Sequence, residues 1–137
     1  MTTVVDHVVP CNATATMAKV LVIDGCERVA RDRCFLLAQH DFPCKYATSG
    51  AGAIAVAKTW QPQIVVINLG SPQLSGLYTA QSLRELPGLQ RMCIIGITEG
   101  SDQLQRGQIN IDQFLLKSTS PEELVDAVHA GCSQLAS

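Results

Sequence analysis

Short runs of β-branched apolar residues, each ending beside a polar residue, constrain the fold of this 137-residue chain more than any other feature. The runs KVLVID, IVVIN, MCIIGIT and QFLLK begin at residues 19, 64, 92 and 113. Unbroken apolar runs of this length are typical of strands that are buried on both faces of a parallel sheet. The segments between the runs are long enough for the helices that cover such a sheet.

Helix signals and one further strand fill the intervals between these runs. In chain order they are a helix over 27–39, a strand over 44–47, a helix from the cap Ser49 to Trp60, a helix ended by Pro87, a short helix over 102–106, and a last helix that opens with the capping box SPEE at 120–123. The pattern therefore predicts an α/β fold, a doubly wound five-stranded parallel sheet flanked by five helices, with flavodoxin-like topology.

The beginning of the chain differs from the rest. Residues 1–18 mix valine pairs with Thr, Ala and Pro and show no sustained period. From Lys19 onward the chain has the composition of a folded domain, because 47% of all residues are apolar and only 16% are charged. We therefore predict a loosely ordered N-terminal extension over 1–18 and one domain over 19–137.

Charge and cysteine content argue against several classes of function. Ten Lys plus Arg against twelve Asp plus Glu give a net charge of −2, so we expect no nucleic-acid partner. The apolar runs are far shorter than a bilayer span, so we expect no membrane partner and a cytoplasmic protein. The six cysteines contain no C-x-x-C pair and the three histidines do not cluster with them. We therefore expect reduced thiols, no metal and no cofactor.

Polar residues that can carry chemistry stand where the predicted strands end. They are Asp24, Asn68, Thr98 and Lys117. In open α/β sheets, ligands bind outside the carboxyl ends of the strands. The sequence therefore predicts that these four side chains share one edge of the sheet.

The stretches KVLVIDG, PQIVVINLGSPQLSG, CIIGITEG and FLLKS resemble, in this order, the four signature stretches of CheY-like response-regulator receiver domains. The resemblance covers residues 19–135 and implies receiver topology. It also implies a non-enzymatic role in bacterial two-component or phosphorelay signalling, with a sensor kinase or a downstream effector as partner. In this family the face corresponding to residues 102–135 is the usual partner or dimer surface.

The resemblance also implies roles for single residues. Asn68 stands at the position of the aspartate that accepts phosphate, and Asp24 and Gly25 stand where receivers carry two adjacent acids that help to hold Mg²⁺. Thr98 and Lys117 match the hydroxyl residue and the lysine that contact the phosphoryl group.

Two of these positions lack the groups that the chemistry requires. The amide of Asn68 is not a nucleophile at neutral pH, and Gly25 has no side chain to bind a cation. The sequence therefore predicts a pseudo-receiver that acts through phosphorylation-independent protein–protein interaction. Lys117 is then expected to form an ion pair with Asp24. Phe114, which matches the aromatic switch position of the family, is expected to stay buried.

Two other interpretations remain open at this stage. The first is a small-molecule or redox-sensing module on the same flavodoxin-like fold. Cys26, near a helix N-terminus, is its candidate thiol, although packing in line with Ala30 and Cys34 is the simpler role. The second is a true phosphorelay receiver in which Asn68 is an engineered replacement for aspartate. The additional loss of an acid at Gly25 argues for natural degeneration instead.

Overall fold

A computed structural model describes residues 18–71, 75–99 and 111–136 of the chain, with side chains up to Ser133. The elements are β1 (Val20–Ile23), α1 (Glu27–Gln39), β2 (Cys44–Ala47), α2 (Gly50–Trp60), β3 (Ile64–Asn68), α3 (Gly76–Arg84), β4 (Cys93–Thr98), β5 (Gln113–Leu116) and α4 (Pro121–Ala136). The short helix predicted over 102–106 lies outside the described residues. None of the described helices has the length and apolar composition needed to span a bilayer.

The five strands form one parallel sheet in the order β2-β1-β3-β4-β5. On β1, Ile23 lies opposite Ala47 of β2 and opposite Ile67 of β3. β3 continues one residue further to Asn68, which lies opposite Ile97 of β4. This order and the parallel pairing confirm the predicted doubly wound, flavodoxin-like fold. Four of the five predicted helices fall in the described part of the chain.

Two apolar layers, one on each face of the sheet, make up the core. On one face, α1 and α4 cover Val20, Val22, Ile64, Val66, Cys93 and Ile95. On the other face, α2 and α3 cover Leu21, Ile23, Val65, Ile67 and Ile94. Successive strand residues point to opposite faces, and both faces are buried, so the strand sequences are unbroken apolar runs. Polar chemistry is thereby confined to the ends of the strands.

Side-chain caps fix the beginnings of two helices as the sequence predicts. The Ser49 Oγ accepts a hydrogen bond from the Gly52 N–H at 3.0 Å, at the start of α2. At the start of α4, the Glu123 N–H donates to Ser120 Oγ at 3.2 Å, and the Ser120 N–H donates to Glu123 Oε1 at 3.1 Å. Both predicted caps are therefore confirmed, and each such cap stabilises a helix by about 1 kcal/mol.

The first helix differs from its predicted apolar face at one position. Ala30, Cys34 and Leu37 are buried, as the spacing predicts, but Cys26 is exposed. Cys26 is the N-cap residue of α1 and has an extended backbone, with φ −95° and ψ 112°. A residue outside the helical turn does not follow its period, so packing of Cys26 with this face was a wrong prediction.

We predict that residues 1–16 are dispensable for folding of the domain. Residues 1–16 show no sustained hydrophobic period, and the first strand of the sheet begins after them, at Val20. A chain that begins at Met17 should melt within a few degrees of the full chain in a calorimetric scan. A loss of more than about 2 kcal/mol would show that the valine pairs of the extension pack on the domain.

Candidate functional site

Asp24 and Asn68 meet at the carboxyl ends of two adjacent strands. Asp24 directly follows β1 and Asn68 is the last residue of β3, and these strands pair in register up to Ile23 and Ile67. Both polar residues are buried, with exposed fractions of 2% and 4%. The Asn68 Nδ2 donates a hydrogen bond to Asp24 Oδ2 at 3.0 Å. The structure therefore brings these two predicted site residues into direct contact.

The Asp24 carboxylate accepts hydrogen bonds from two further groups, both on the segment that follows it. The Cys26 N–H donates to Oδ1 at 2.9 Å, and the Arg33 Nη1 donates to Oδ2 at 2.9 Å. The Arg33 side chain is 18% exposed and the Asp24 side chain 3%. A buried carboxylate is stable only when it is paired and hydrogen-bonded, and here a guanidinium from α1 supplies the opposite charge.

The loops after β1 and β3 are joined around this pair. Asn68 Oδ1 accepts a hydrogen bond from the Gly70 N–H at 2.9 Å, so both ends of the amide are engaged. The Gly25 N–H donates to Ser71 Oγ at 3.2 Å. Because the amide must donate to Asp24 and accept from Gly70, its orientation is fixed by its surroundings. The result is a network that links β1, β3, α1 and both loops.

Lys117 lies at the rim of this site and pairs with a different acid from the one expected. Its Nζ is 3.3 Å from Glu99 Oε2, and the two side chains are 48% and 68% exposed. The expected ion pair between Lys117 and Asp24 is therefore wrong, because Arg33 reaches the Asp24 carboxylate from α1 while Lys117 follows the edge strand β5. An ion pair as exposed as Lys117–Glu99 contributes little to stability.

Thr98 and Phe114 lie on the neighbouring strands β4 and β5. Thr98 is half-buried at the end of β4, and its carbonyl accepts a hydrogen bond from the Lys117 N–H at 2.8 Å. Phe114 lies opposite Gly96 in the sheet and is half-buried. The Phe114 side chain is therefore less buried than predicted, because β5 is an edge strand with one neighbour in the described sheet.

Sequence reasoning missed two residues of this network, Arg33 and Ser71. Arg33 stands three residues after Ala30 and four before Leu37, so it flanks the buried face of α1 and lies above the end of β1. An arginine at such a position, nine residues after a buried aspartate, is the signal that could have found it. Ser71 is one of several hydroxyl residues in a loop, and nothing in the sequence singles it out.

Residues 20–129 match the family described as the response regulator receiver domain. The chain belongs to this family. It is therefore a response regulator receiver domain, the type of domain found in two-component signalling.

Curated relatives of this receiver domain are longer proteins. The transcriptional regulatory protein KdpE of Mycobacterium tuberculosis is 27% identical over 114 residues, which are 83% of this chain and 50% of KdpE. The nitrate/nitrite response regulator protein NarL of Escherichia coli is 30% identical over 87 residues, which are 61% of this chain and 39% of NarL. The chain thus spans about half the length, or less, of these relatives.

Solved receiver structures share the fold at low sequence identity. Chemotaxis protein CheY4 of Vibrio cholerae superposes with a TM-score of 0.78 at 18% identity, over 85% of this chain and 99% of the other. A CheY-like receiver domain of Methylobacillus flagellatus gives a TM-score of 0.74 at 22% identity, over 84% and 98% of the two chains. At this identity the likeness shows the receiver fold alone.

The residues present at the site do not fit the Mg²⁺ ion that the family implies. Mg²⁺ takes oxygen ligands in octahedral geometry, one or two of them carboxylates. Here Gly25 offers no side chain, the Asp24 carboxylate already accepts three N–H groups, and the Arg33 guanidinium lies within 2.9 Å of it. Within the described ranges, no group of three or more His, Cys, Asp or Glu residues is arranged to hold a metal ion. The guanidinium takes the electrostatic place of a cation beside Asp24.

Proposed function

We propose that this chain is a pseudo-receiver, a receiver domain that takes part in two-component or phosphorelay signalling without accepting phosphate. The observation that carries the proposal is the closed network in which Arg33 and Asn68 both hold the Asp24 carboxylate. A neutral amide stands at the position of the nucleophile, and it is engaged by hydrogen bonds at both ends. The nitrogen lone pair of an amide is delocalised into its carbonyl group, so Asn68 is a poor nucleophile toward phosphorus. The Arg33 guanidinium balances the charge of Asp24 without a metal ion.

The output of such a domain is a surface presented to another signalling protein, a sensor kinase or a downstream effector. We place this surface in the region 102–135, as the family does, and within the cytoplasm. Support comes from Leu116 at the end of β5, which is 53% exposed. A cavity of about 250 Å³ between α1 and the β5–α4 connection is lined by Leu36, Leu116, Lys117 and Leu124 among others. An apolar recess beside an exposed leucine fits a protein partner or a second copy.

Two measurements on the full chain test this proposal. Incubation with acetyl phosphate and Mg²⁺ should leave the intact mass unchanged, because no carboxylate nucleophile is available at Asn68. Light scattering should give the same particle mass with and without Mg²⁺ and beryllofluoride, whether the chain is a monomer or a dimer. A phosphate adduct, or a change of particle mass caused by the phosphoryl mimic, would contradict phosphorylation-independent action. An active receiver domain, treated in parallel, serves as the positive control.

A further inference from the structure

The cavity between α1 and the β5–α4 connection, about 250 Å³ in volume, lies beside the carboxyl ends of β4 and β5. Its apolar lining comes from both helices and both strands and includes Leu36 of α1, Ile97 of β4, Leu115 of β5 and Leu124 of α4. Ile97 and Leu115 lie opposite each other in the sheet. An apolar cavity of about 150 Å³ holds one benzene ring, so this larger cavity has room for a ring that carries a polar group.

The polar part of the lining consists mostly of hydrogen-bond donors. It includes two cations, Arg33 and Lys117, and the hydroxyl groups of Thr119 and Ser120. The acid Asp32 also belongs to the lining, but this residue is exposed, so water and salt screen its charge. A molecule that fills the cavity must therefore combine an apolar body with hydrogen-bond acceptors, and negative charge on those acceptors is favoured.

The two cations of the lining have donors left for such a molecule. Arg33 Nη1 donates to Asp24 Oδ2 at 2.9 Å, and the other N–H groups of this guanidinium have no partner among the described residues. Because a guanidinium carries five N–H donors in a planar fork, it can hold a second acceptor without releasing the first. Lys117 pairs with Glu99, whose side chain is 68% exposed, and a pair of this kind is weak. The Lys117 ammonium can therefore turn to a ligand at little cost.

We propose that this cavity binds a small aromatic carboxylic acid, which acts as the input to the receiver domain. The ring lies among the leucine and isoleucine side chains, and the carboxylate accepts hydrogen bonds from Arg33 and Lys117. Hydrogen bonds to an ionised acceptor are about twice as strong as neutral ones, so the acid is preferred over its uncharged amide. The combination of an apolar lining with a few polar groups that fix orientation is typical of sites for small molecules.

Arg33 connects the cavity to the buried network at the strand ends. Arg33 Nη1 and Asn68 Nδ2 donate to the same atom, Asp24 Oδ2, at 2.9 Å and 3.0 Å. A ligand carboxylate that shares the guanidinium changes how Arg33 holds this oxygen, and the change reaches Asn68. Leu116 and Lys117 belong both to the lining and to the partner surface placed in the region 102–135. The inference rests on the proposed function, because the ligand supplies the input that phosphorylation would otherwise provide.

Titration of the ¹⁵N-labelled full chain with sodium benzoate, followed by NMR, tests the proposal. We expect saturable binding, with shifts of the backbone amides of the residues that line the cavity. Benzamide, which keeps the ring but lacks the charge, should bind about tenfold more weakly. Acetate at the same concentration has the charge without the ring and should not saturate, which controls for ionic strength. Absence of benzoate binding at about 10 mM, or equal affinities for benzoate and benzamide, would overturn the proposal.

Variants of the two cations locate the carboxylate. Lys117→Met should weaken benzoate binding about tenfold, and its side chain is 48% exposed, so the fold should be preserved. Arg33→Met should remove most of the preference for benzoate over benzamide. Arg31→Met serves as the matched control, because Arg31 is an exposed arginine of the same helix outside the lining, and it should change the affinity by less than about twofold. Unchanged benzoate affinity in Lys117→Met would overturn the proposal, and this result does not depend on whether Arg33→Met folds.

The connection to the buried network has its own readout. Saturating benzoate should shift the side-chain amide resonances of Asn68, and acetate should not. Unchanged Asn68 resonances would refute the ligand input, even if benzoate binds. A dimer that binds benzoate only after Leu116→Glu dissociates it would show that a second copy fills the cavity, which would also overturn the proposal. A phosphate adduct from acetyl phosphate would instead refute the proposed function and leave the benzoate result standing, so the two failures are distinguishable.

Discussion

Replacing Arg33 by methionine is expected to lower the free energy of unfolding by about 2 kcal/mol. The substitution keeps most of the aliphatic length but removes the guanidinium that lies 2.9 Å from Asp24 Oδ2. The carboxylate stays buried, at 3% exposure, and loses its only ion-pair partner in the described part of the chain. Loss of one partner of a fully buried pair costs about 3–5 kcal/mol, and the 18% exposure of Arg33 reduces the expected cost.

A matched control and a double-mutant cycle identify the cause of this loss. Arg31 is an exposed arginine of the same helix, so Arg31→Met should change stability by less than about 0.5 kcal/mol. In the cycle of Arg33→Met with Asp24→Asn, urea unfolding should give a coupling energy of about 1–2 kcal/mol. Additive effects of the two substitutions, within about 0.5 kcal/mol, would show that Arg33 stabilises the fold through packing of its stem instead.

Much of the fold could be predicted because local signals and burial agree. The residues of IVVIN form a strand with the predicted bounds Ile64–Asn68, and helix α1 has the predicted bounds Glu27–Gln39. IVVIN is an unbroken apolar run of strand length, whereas the apolar residues of α1 recur with the helical period. Turn or polar residues mark the ends of both elements. The capping box at Ser120 gave the start of α4 for the same reason, since its two hydrogen bonds depend on residues only three positions apart.

The contacts of the candidate site were harder to predict, because some of them depend on how far long side chains extend. Strand order and register place Asp24 beside Asn68, so this contact follows from the parallel sheet. Which cation meets Asp24 depends instead on where two long side chains extend, and the sequence favoured Lys117 although Arg33 is the partner. A helix that flanks a strand end can direct an arginine over that end, and the family pattern carries no information about this choice.

Replacing Asn68 by aspartate is expected to destabilise the domain without restoring phosphorylation. The substitution exchanges the Nδ2 donor, 3.0 Å from Asp24 Oδ2, for a second buried carboxylate oxygen. The loss of a donor and the repulsion of two close carboxylates should cost about 3 kcal/mol at neutral pH. The pair can take up a shared proton in the folded state, so this cost should shrink as the pH falls and grow as it rises. Urea unfolding at pH 5 and pH 8 measures the difference.

We expect the Asn68→Asp variant to remain unphosphorylated, because Gly25 leaves the site without the second acid that a metal ion needs. Asn68→Asp supplies a nucleophile, but no second acid is present at position 25 to hold Mg²⁺ beside the incoming phosphoryl group. Adding Gly25→Asp supplies that acid. The backbone accepts it, because Gly88 is the only glycine with positive φ in the described ranges. With acetyl phosphate and Mg²⁺, the intact mass of the double variant should increase by one phosphoryl group while that of the single variant does not. If the single variant gained a phosphoryl group as readily as the double variant, the absence of an acid at Gly25 would not limit the chemistry. Asn68 would then be the residue that prevents phosphorylation.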